Sequence, residues 1–404
     1  MNNLDLLKKY GTPLYHFDIL DLKNRVEMMK EEQSDIGLCY AMKAGPALAK
    51  YIAPYVDRLE VCSPGEYEIC VRSGIKPEQI LVSGVNKTRE SMTKILSYGG
   101  AKGCFSIESI EQYEILRDVA KEETRTEKLR CFVRLSSGNQ FGVDKKVFEE
   151  LCDKIISSDY LELVGIHYFS GTQKTLKKIE TELAELAEYG LVLEEKFGFK
   201  FDLEYGPGLG IDYFQSDKNT EEITYRFGES SLKKLMEIVE KTGIRNSYSD
   251  ITFEYGRYIA STCGKYFTGV ADVKTNDGTN FAILDGGLHQ ITYYGSMAGM
   301  KVPYIDYISM KNDDSGSEKE KKDYVLAGSL CSVNDIIVRK ISLPQLDIGD
   351  ALCFNLAGAY SVTEGIALFL SRDLPAIVVR DEAGEDRLVR EHTEINIFNG
   401  GYNG

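Results

Sequence analysis

Residues 36–43 read Ile-Gly-Leu-Cys-Tyr-Ala-Met-Lys, an apolar run that ends on a lysine. Such a short run of aliphatic and aromatic residues is typical of a buried β-strand. Lys43 would then stand at the carboxyl end of that strand, where side chains leave the core. A lysine in this position most often only reaches for water, so any chemical role for Lys43 depends on what the rest of the chain places beside it.

The same pattern recurs along the chain. Short apolar runs alternate with longer amphipathic stretches, such as Ile110–Glu123, Leu176–Lys196 and Ser230–Lys241, and this alternation predicts repeated βα units with a parallel sheet. The runs number eight, which predicts a closed (β/α)8 barrel, or TIM barrel, with its active site at the carboxyl ends of the strands. The predicted strands are Ile36–Met42, Arg58–Cys62, Gln79–Ser83, Gly103–Ile107, Leu129–Leu135, Glu162–Phe169, Lys200–Tyr205 and Ile251–Tyr255.

The sequence changes character after Gly264. Predicted strands follow one another with few helices between, and Pro13–Phe17 is predicted as a strand that returns to them. We expect the barrel to span residues 30–262 and a second, all-β domain, a sandwich or barrel, to comprise residues 1–29 and 263–404. A charged segment, Lys311–Asp323, is predicted as a solvated loop. The strands predicted for this domain are Tyr266–Val273, Asn280–Leu284, Tyr324–Ala327, Ile336–Ile341, Ala351–Leu356 and Ala376–Val379.

Composition narrows the class of protein. The 404 residues are 43% apolar, enough for two cores, and their net charge of −15 argues against nucleic acid or an anionic membrane as partner. The nine cysteines form no CxxC pair, and with only four histidines we expect free thiols and no metal centre. We find no apolar stretch long enough for a signal peptide or a membrane span, which favours the cytoplasm.

A glycine-rich stretch ends the seventh predicted strand. Residues 204–210 read Glu-Tyr-Gly-Pro-Gly-Leu-Gly, and alternate glycines let the backbone approach an anion closely, so that exposed amides can hold a phosphate. A tight turn is the commoner meaning of such a pattern. Pro207 also lacks an amide hydrogen, which removes one donor from the loop.

Charged and polar residues lie at the ends of two other predicted strands. Glu254 is near the end of the eighth strand, three residues before Arg257, and His167 is near the end of the sixth. A surface ion pair and a core histidine are the ordinary alternatives for these residues. In the mouth of a barrel, however, burial of an unpaired charge is unfavourable. A charged residue found there therefore usually has a function.

Together with Lys43, these residues suit one cofactor, pyridoxal phosphate. That cofactor needs a lysine for its aldehyde, amides for its phosphate, a flat partner for its ring and a group that sets the charge on its pyridine nitrogen. Lys43 can bind the aldehyde as a Schiff base, and the Gly206–Gly210 loop can bind the phosphate. His167 can lie against the ring, and Glu254 can set the charge on the pyridine nitrogen. An anionic Glu254 would keep the ring nitrogen protonated, and the cofactor would then be a strong electron sink for decarboxylation.

On these residues the chain resembles the fold-type III pyridoxal phosphate enzymes, the family of diaminopimelate, ornithine and arginine decarboxylases with alanine racemase as a relative. The similarity covers nearly the whole chain, and six motifs follow in the family's order. They are Tyr40-Ala41-Met42-Lys43, which resembles the family's Tyr-Ala-x-Lys; His167 with Ser170; the glycines Gly206, Gly208 and Gly210; Glu254 with Arg257, which resembles Glu-Pro-Gly-Arg; Cys331 to Asp335, which resembles Cys-x-x-x-Asp; and Gly358-Ala359-Tyr360.

The resemblance implies an alanine racemase-like fold and roles for further residues. Ser170 and Arg257 would bind the cofactor, and Tyr360 would touch its phosphate. The family's active sites are shared between subunits, which implies an obligatory homodimer in which Cys331 and Asp335 enter the partner's site. Cys331 would protonate the quinonoid carbon after decarboxylation, although a free cysteine is most often a small buried hydrophobic residue.

Two departures from the family bear on the substrate. Diaminopimelate and ornithine decarboxylases carry an acid directly after the cysteine, where it meets the substrate's distal ammonium, and here that residue is Ser332. The family's arginine for the distal carboxylate of diaminopimelate is missing after Asp285-Gly286-Gly287. A neutral pocket disfavours burial of a second ammonium group. We therefore expect a modified or carrier-tethered amino acid as substrate, bound by Ser332, Asp335, Tyr293 and Arg257.

The alternatives are a genuine diaminopimelate decarboxylase, a racemase or epimerase, and a non-catalytic homologue that binds a partner. The racemase branch of the family places an arginine at the ring nitrogen, where this chain has Glu254. Retention of Lys43, Glu254 and Cys331 together argues against a homologue that has lost its activity.

Overall fold

The computed structural model describes residues 2–123, 127–215, 229–294, 299–311 and 319–400. These residues divide into two compact units. Residues 23–211 and 229–259 form the first unit, which contains a closed barrel. Residues 2–22, 212–215 and the described residues from Ala260 onward form the second, which is mostly β-sheet.

Strands and helices are numbered in chain order. The strands are β1 (Leu14–Asp18), β2 (Gly37–Ala41), β3 (Arg58–Val61), β4 (Ile80–Val82), β5 (Cys104–Ile107), β6 (Leu129–Arg134), β7 (Leu161–Phe169), β8 (Asp202–Gly206), β9 (Ile251–Tyr255), β10 (Gly264–Asn276), β11 (Thr279–Leu284), β12 (Ile305–Ile308), β13 (Lys321–Ala327), β14 (Ile336–Pro344), β15 (Ala351–Phe354), β16 (Ala376–Arg380) and β17 (Asp386–Arg390). The α-helices are α1 (Asn3–Tyr10), α2 (Ile19–Gln33), α3 (Ala49–Ile52), α4 (Pro64–Arg72), α5 (Arg89–Ser97), α6 (Ile110–Glu122), α7 (Lys145–Ile156), α8 (Leu176–Phe197), α9 (Glu229–Thr242), α10 (Arg257–Ala260) and α11 (Asn396–Asn399).

The barrel consists of strands β2 to β9, all paired in parallel with their neighbours and closed by the pairing of β9 with β2. This confirms the predicted (β/α)8 barrel. Each predicted strand agrees with the observed one to within two residues at each end. The agreement follows from burial, since parallel strands covered on both faces give continuous apolar runs that stand out in a sequence.

Helices follow strands of the barrel and begin at capping residues. The N-terminus of α7 is capped by Asp144, whose side chain accepts from the amide of Val147, and that of α8 is capped by Thr175, which accepts from Lys178. These caps fix where each helix begins, close to the carboxyl end of the barrel. Among the described residues no helix is long and apolar enough to span a membrane.

The second unit is built on β10, which pairs with β1, β11 and β15. Strand β1 also runs parallel to β16, and the sheet order is β14-β13-β11-β10-β1-β16-β17, with β12 beside β15. The prediction that Pro13–Phe17 returns to the β-rich region is confirmed. Strands β12 and β17 were not predicted; β17 has only partly buried and exposed side chains and therefore no apolar run.

One loop prediction is wrong in part. Within Lys311–Asp323, residues 312–318 lie outside the described residues, but Lys321–Asp323 form the start of β13. Their backbone pairs with Ser342–Pro344 of β14. The charged side chains remain largely exposed, so the segment has no apolar signal although it is a strand.

Gly165 in β7 provides a test of barrel packing. A Cβ added there would lie 1.9 Å from the carbonyl oxygen of Asp202 in β8, a backbone atom that cannot move alone. We expect Gly165→Ala to lower the free energy of unfolding by about 1–3 kcal/mol or more, measured by urea unfolding with circular dichroism. Gly65 in α4 is the control, because its Cβ would meet nothing closer than 3.7 Å. Equal stability of Gly165→Ala and Gly65→Ala would contradict the packing.

Candidate active site

Lys43 lies in a short 3-10 turn that directly follows β2. Its Nζ is 3.0 Å from Oε2 of Glu60, on β3, and 3.5 Å from Sγ of Cys62. The lysine side chain is 39% exposed, whereas that of Glu60 is 3% exposed. The amine is therefore held at the barrel's carboxyl end by a buried acid while remaining open to a ligand.

Glu60 was missed by the sequence analysis. Burial alone would raise its pKa, but the charge of Lys43 and hydrogen bonds donated by Cys62 and Ser83 hold the pKa at about 2. Burial and the neighbouring Glu60 raise the pKa of Cys62 to about 12, so this thiol remains a donor. One feature of the sequence could have identified Glu60, namely that an acid stands within a strand predicted to be buried on both faces.

His167 and Glu254 meet inside the barrel. His167 Nδ1 lies 2.7 Å from Oγ of Ser106, and its Nε2 lies 3.4 Å from Oε1 of Glu254. Both residues are buried, and within the described part of the chain neither His167 Nε2 nor Glu254 Oε1 has a hydrogen-bond partner. Buried polar atoms are rarely left unsatisfied, so these two atoms mark a place for a polar ligand.

A second carboxylate, that of Glu204, lies near Glu254. Potential ligand atoms of Cys39, Glu204 and Glu254 all lie within 4.8 Å of one another, and Arg58 of β3 forms an ion pair with Glu204 of β8. Burial and the nearby Glu254 raise the pKa of Glu204 to about 8 against the opposing effect of Arg58. The interior of this barrel therefore holds ionisable groups where most barrels of this kind are filled by aliphatic side chains.

The glycine loop begins at the last residue of β8. A Cβ at Gly206 would lie 2.4 Å from the ring of Phe169, and one at Gly208, whose φ is +60°, would lie 2.3 Å from the carbonyl oxygen of Gly171. Gly210 has a similar restriction, 2.9 Å from a side-chain oxygen of Gln173. The loop therefore packs directly on the segment that follows β7, and only glycine allows this approach.

Ser170 and Arg257 lie beside these strand ends. Ser170 follows β7, donates a hydrogen bond to Glu182 and accepts one of 3.2 Å from Lys174. Arg257 begins α10, two residues after β9, and is buried. The barrel unit thus places Lys43, His167, Ser170, Gly206, Gly208, Gly210, Glu254 and Arg257 in or just after β2, β7, β8 and β9.

The other predicted site residues belong to the second unit. Cys331 is an exposed thiol followed by Ser332 and by Val333, whose exposure is 92%. Asp335 is buried, and its carboxylate accepts amide hydrogens from Leu288 at 2.9 Å and Leu330 at 2.8 Å. Asp335 therefore fixes the shape of the segment that presents Cys331.

Tyr293 and Tyr360 are also in this unit. The hydroxyl of Tyr293 donates to the carbonyl of Asn355 at 2.6 Å, and its ring packs 5.5 Å from that of Tyr213. Tyr360 has a φ of +66°, which is unusual for a residue with a side chain. Its carbonyl accepts the amides of Thr363 and Glu364, which holds this turn in place.

The barrel residues fit pyridoxal phosphate. Three features lie at or near one set of strand ends: the accessible amine of Lys43, the glycine loop, and the facing atoms of His167 and Glu254, which form no hydrogen bond among the described residues. These are the groups that the aldehyde, the ring, the pyridine nitrogen and the phosphate each require.

Comparisons with known proteins agree with this geometry. The family model for "Pyridoxal-dependent decarboxylase, pyridoxal binding domain" matches residues 20–261. L-glutamyl-[BtrI acyl-carrier protein] decarboxylase of Niallia circulans is 25% identical over 97% of this chain and 94% of its own length. The 2-[(L-alanin-3-ylcarbamoyl)methyl]-2-hydroxybutanedioate decarboxylase of Staphylococcus aureus is 25% identical over 95% of this chain and 98% of its own length.

A solved structure shows the same fold at lower identity. Diaminopimelate decarboxylase from M. jannaschii, in complex with L-lysine, superposes with a TM-score of 0.80 at 23% identity and covers 97% of this chain and 92% of its own. The family model spans all eight barrel strands and therefore includes Lys43, His167, the glycine loop and Glu254. The chain belongs to the pyridoxal-dependent decarboxylase family, and its cofactor is pyridoxal phosphate.

Proposed function

We propose that this decarboxylase removes the α-carboxyl group of an amino acid whose side chain is modified or joined to a carrier protein. The observation that carries the proposal is Ser332, a neutral residue in place of the acid that would meet a distal ammonium. A hydroxyl cannot offset the desolvation of a buried ammonium group as a carboxylate does. The names of two relatives, one acting on a carrier-bound glutamyl group and one on a modified amino acid, support the same direction.

The barrel residues suit this chemistry. When bound, pyridoxal phosphate supplies an electron-withdrawing ring that takes up the electron pair of the broken bond to the carboxyl group. Lys43 would hold the cofactor's aldehyde, His167 its ring, and Glu254 a proton at the ring nitrogen. Ser170, Arg257 and the loop amides would hold the phosphate, with Tyr360 as a further contact.

The second unit would complete the site of another copy of the chain. Cys331 and Val333 are exposed on one segment, so both side chains are accessible to a second subunit. A symmetric homodimer would present this segment twice. Asp335 would keep the segment in shape, and Cys331 would donate the proton that replaces the carboxyl group. Ser332 and Tyr293, together with Arg257, would contact the substrate.

The cysteines favour the cytoplasm as the place of action. All nine are free thiols, and eight of them are buried or half-buried. Free thiols on this scale are typical of a reducing compartment.

Glu60 would keep the amine of Lys43 protonated before the cofactor binds. Its carboxylate lies 3.0 Å from the amine and is buried, so solvent screens the attraction only weakly. The same contact lowers the pKa of Glu60 from 4.5 to about 2. A carboxyl group whose pKa is lower in the folded state stabilises the fold above its unfolded pKa and loses that contribution as the pH falls through the folded pKa.

Glu60→Gln tests this pairing in cofactor-free protein. We expect the wild-type advantage in unfolding free energy to be constant above about pH 5 and to shrink between about pH 4.5 and pH 2, measured by urea unfolding at several pH values. Glu66→Gln is the control, because burial raises the pKa of Glu66. The pH dependence should therefore be opposite, with a wild-type advantage in unfolding free energy that grows as the pH falls. A pH-independent difference for Glu60→Gln would contradict the pairing.

Substrate choice is tested by carbon dioxide release from free, side-chain-modified and carrier-bound amino acids. We expect kcat/KM for diaminopimelate and ornithine to be at least about tenfold below that of the best modified or carrier-bound substrate. Ser332→Asp should shift this ratio toward the diamino acids, and Ser332→Ala should not. Lys43→Ala should release no carbon dioxide. Preference for diaminopimelate would overturn the proposal, and loss of stereochemistry without carbon dioxide release would indicate a racemase.

Mixed dimers test the shared site. Lys43→Ala and Cys331→Ala should each be nearly inactive, yet their mixture should recover about a quarter of wild-type activity, because half of the dimers are mixed and one of their two sites is intact. The measurement is carbon dioxide release after subunit exchange, with each variant alone as control. Absence of recovery despite exchange shown by native mass spectrometry would mean that each chain builds its own site.

A further inference from the structure

Beside the glycine loop lies a buried charge pair, Lys174 and Glu182, to which the chemistry above gives no role. We propose that these two are positioning residues, which hold Ser170 and the Gly206–Gly210 loop in the shape that binds the cofactor's phosphate. In consequence the protein would select pyridoxal phosphate over unphosphorylated pyridoxal. The inference rests on the proposed function insofar as Ser170 and the loop are assigned to the phosphate.

Lys174 ties the loop at two points. Its backbone amide donates to the carbonyl of Gly208 at 3.0 Å, and its Nζ donates to the carbonyl of Gly206 at 2.9 Å. The amide of a trans peptide points away from its carbonyl, so the tie at Gly208 turns the amide of Leu209 away from Lys174. Pro207 contributes no amide hydrogen, and the orientation of the remaining amides therefore matters more in this loop.

Glu182, on α8, connects the same lysine to Ser170. Its Oε2 lies 2.6 Å from Lys174 Nζ and accepts a hydrogen bond of 2.8 Å from the hydroxyl of Tyr205, and its Oε1 accepts from Ser170. The side chains of Lys174 and Glu182 are 2% and 7% exposed. Water is therefore largely excluded from the contact between Lys174 and Glu182, which strengthens it.

The number of hydrogens explains why Lys174 positions the phosphate site rather than binding the phosphate itself. An ammonium group has three hydrogens, and acceptors on Glu182, Gly206, Ser170 and Tyr205 already lie 2.6–3.3 Å from Lys174 Nζ. Ser170 has one hydrogen, which it donates to Glu182. When Ser170 turns this hydrogen to a phosphate oxygen, Glu182 keeps its bonds to Lys174 and Tyr205, so the network holds its shape while one bond changes partner.

The charge state of the pair is consistent with this role. Burial lowers the pKa of Lys174 to about 8, while Glu182 acts in the opposite direction. The amine is therefore still mostly protonated at neutral pH. A phosphate dianion bound nearby would favour the protonated form further.

A purely structural clamp would behave differently. Loss of a contact that only joins α8 to β8 would weaken binding of pyridoxal phosphate and pyridoxal alike, because both rings use Lys43, His167 and Glu254. Loss of a phosphate-positioning clamp weakens binding of the phosphorylated form alone. The ratio of the two dissociation constants separates these roles without any measurement of activity.

The experiment titrates cofactor-free protein with pyridoxal phosphate and with pyridoxal, followed by absorbance. In Lys174→Met we expect the affinity ratio that favours the phosphorylated form to fall at least about tenfold, with pyridoxal affinity changed by no more than about twofold. Glu182→Gln keeps the shape of the side chain, and the same affinity ratio should fall in this variant. It therefore tests the proposal even if Lys174→Met does not fold. Lys178→Met is the control, because Lys178 is an exposed lysine 3.9 Å from Glu182 on the same helix.

An unchanged ratio in both Lys174→Met and Glu182→Gln would overturn the inference, as would an equal loss of affinity for both compounds. Failure of the proposed function gives a different result. If wild-type protein released no carbon dioxide from any modified or carrier-bound amino acid while the two variants still changed the cofactor ratio, the substrate proposal would fail and the positioning role would stand.

Discussion

The pairing of β9 with β2 is the constraint on which the barrel depends. It closes eight parallel strands into a ring and sets Glu254 opposite Cys39. Cys39 is four residues before Lys43 in the chain. A one-residue change of register would turn one of these side chains out of the barrel, because alternate residues face opposite sides of a sheet. Closure therefore places Glu254, on the last strand of the barrel, beside the first strand, which Lys43 follows.

The second consequence of closure is an interior lined by ionisable side chains. Glu60, Glu204 and Glu254 come from three strands, and Arg58, on the same strand as Glu60, forms an ion pair with Glu204. Charges buried in this way do not add stability as apolar side chains would, and they persist where the chemistry uses them. Glu60 lies beside Lys43, whereas Glu254 lies beside His167.

The glycine loop shows how local structure and packing act together. Gly206 and Gly208 lie against Phe169 and Gly171, so the loop is pressed onto the segment after β7, and Lys174 of that segment in turn holds the loop carbonyls. Contacts of this kind orient the donors of a loop before any ligand arrives. In the second unit, Asp335 has a comparable effect on the segment that carries Cys331.

The sequence by itself determined the order and bounds of the barrel strands, the return of β1 to the second unit, and Lys43, His167, the glycine loop and Glu254 as site candidates. Each of these has a local signal, namely an apolar run, a strand end or a glycine pattern. Only the tertiary structure decided the partners: Glu60 for Lys43, Arg58 for Glu204, and Glu182 for Lys174 and Ser170. A charged residue in a strand or helix has the same appearance in sequence whichever neighbour it meets, and that neighbour is chosen by strand register and barrel closure, which join residues far apart in the chain.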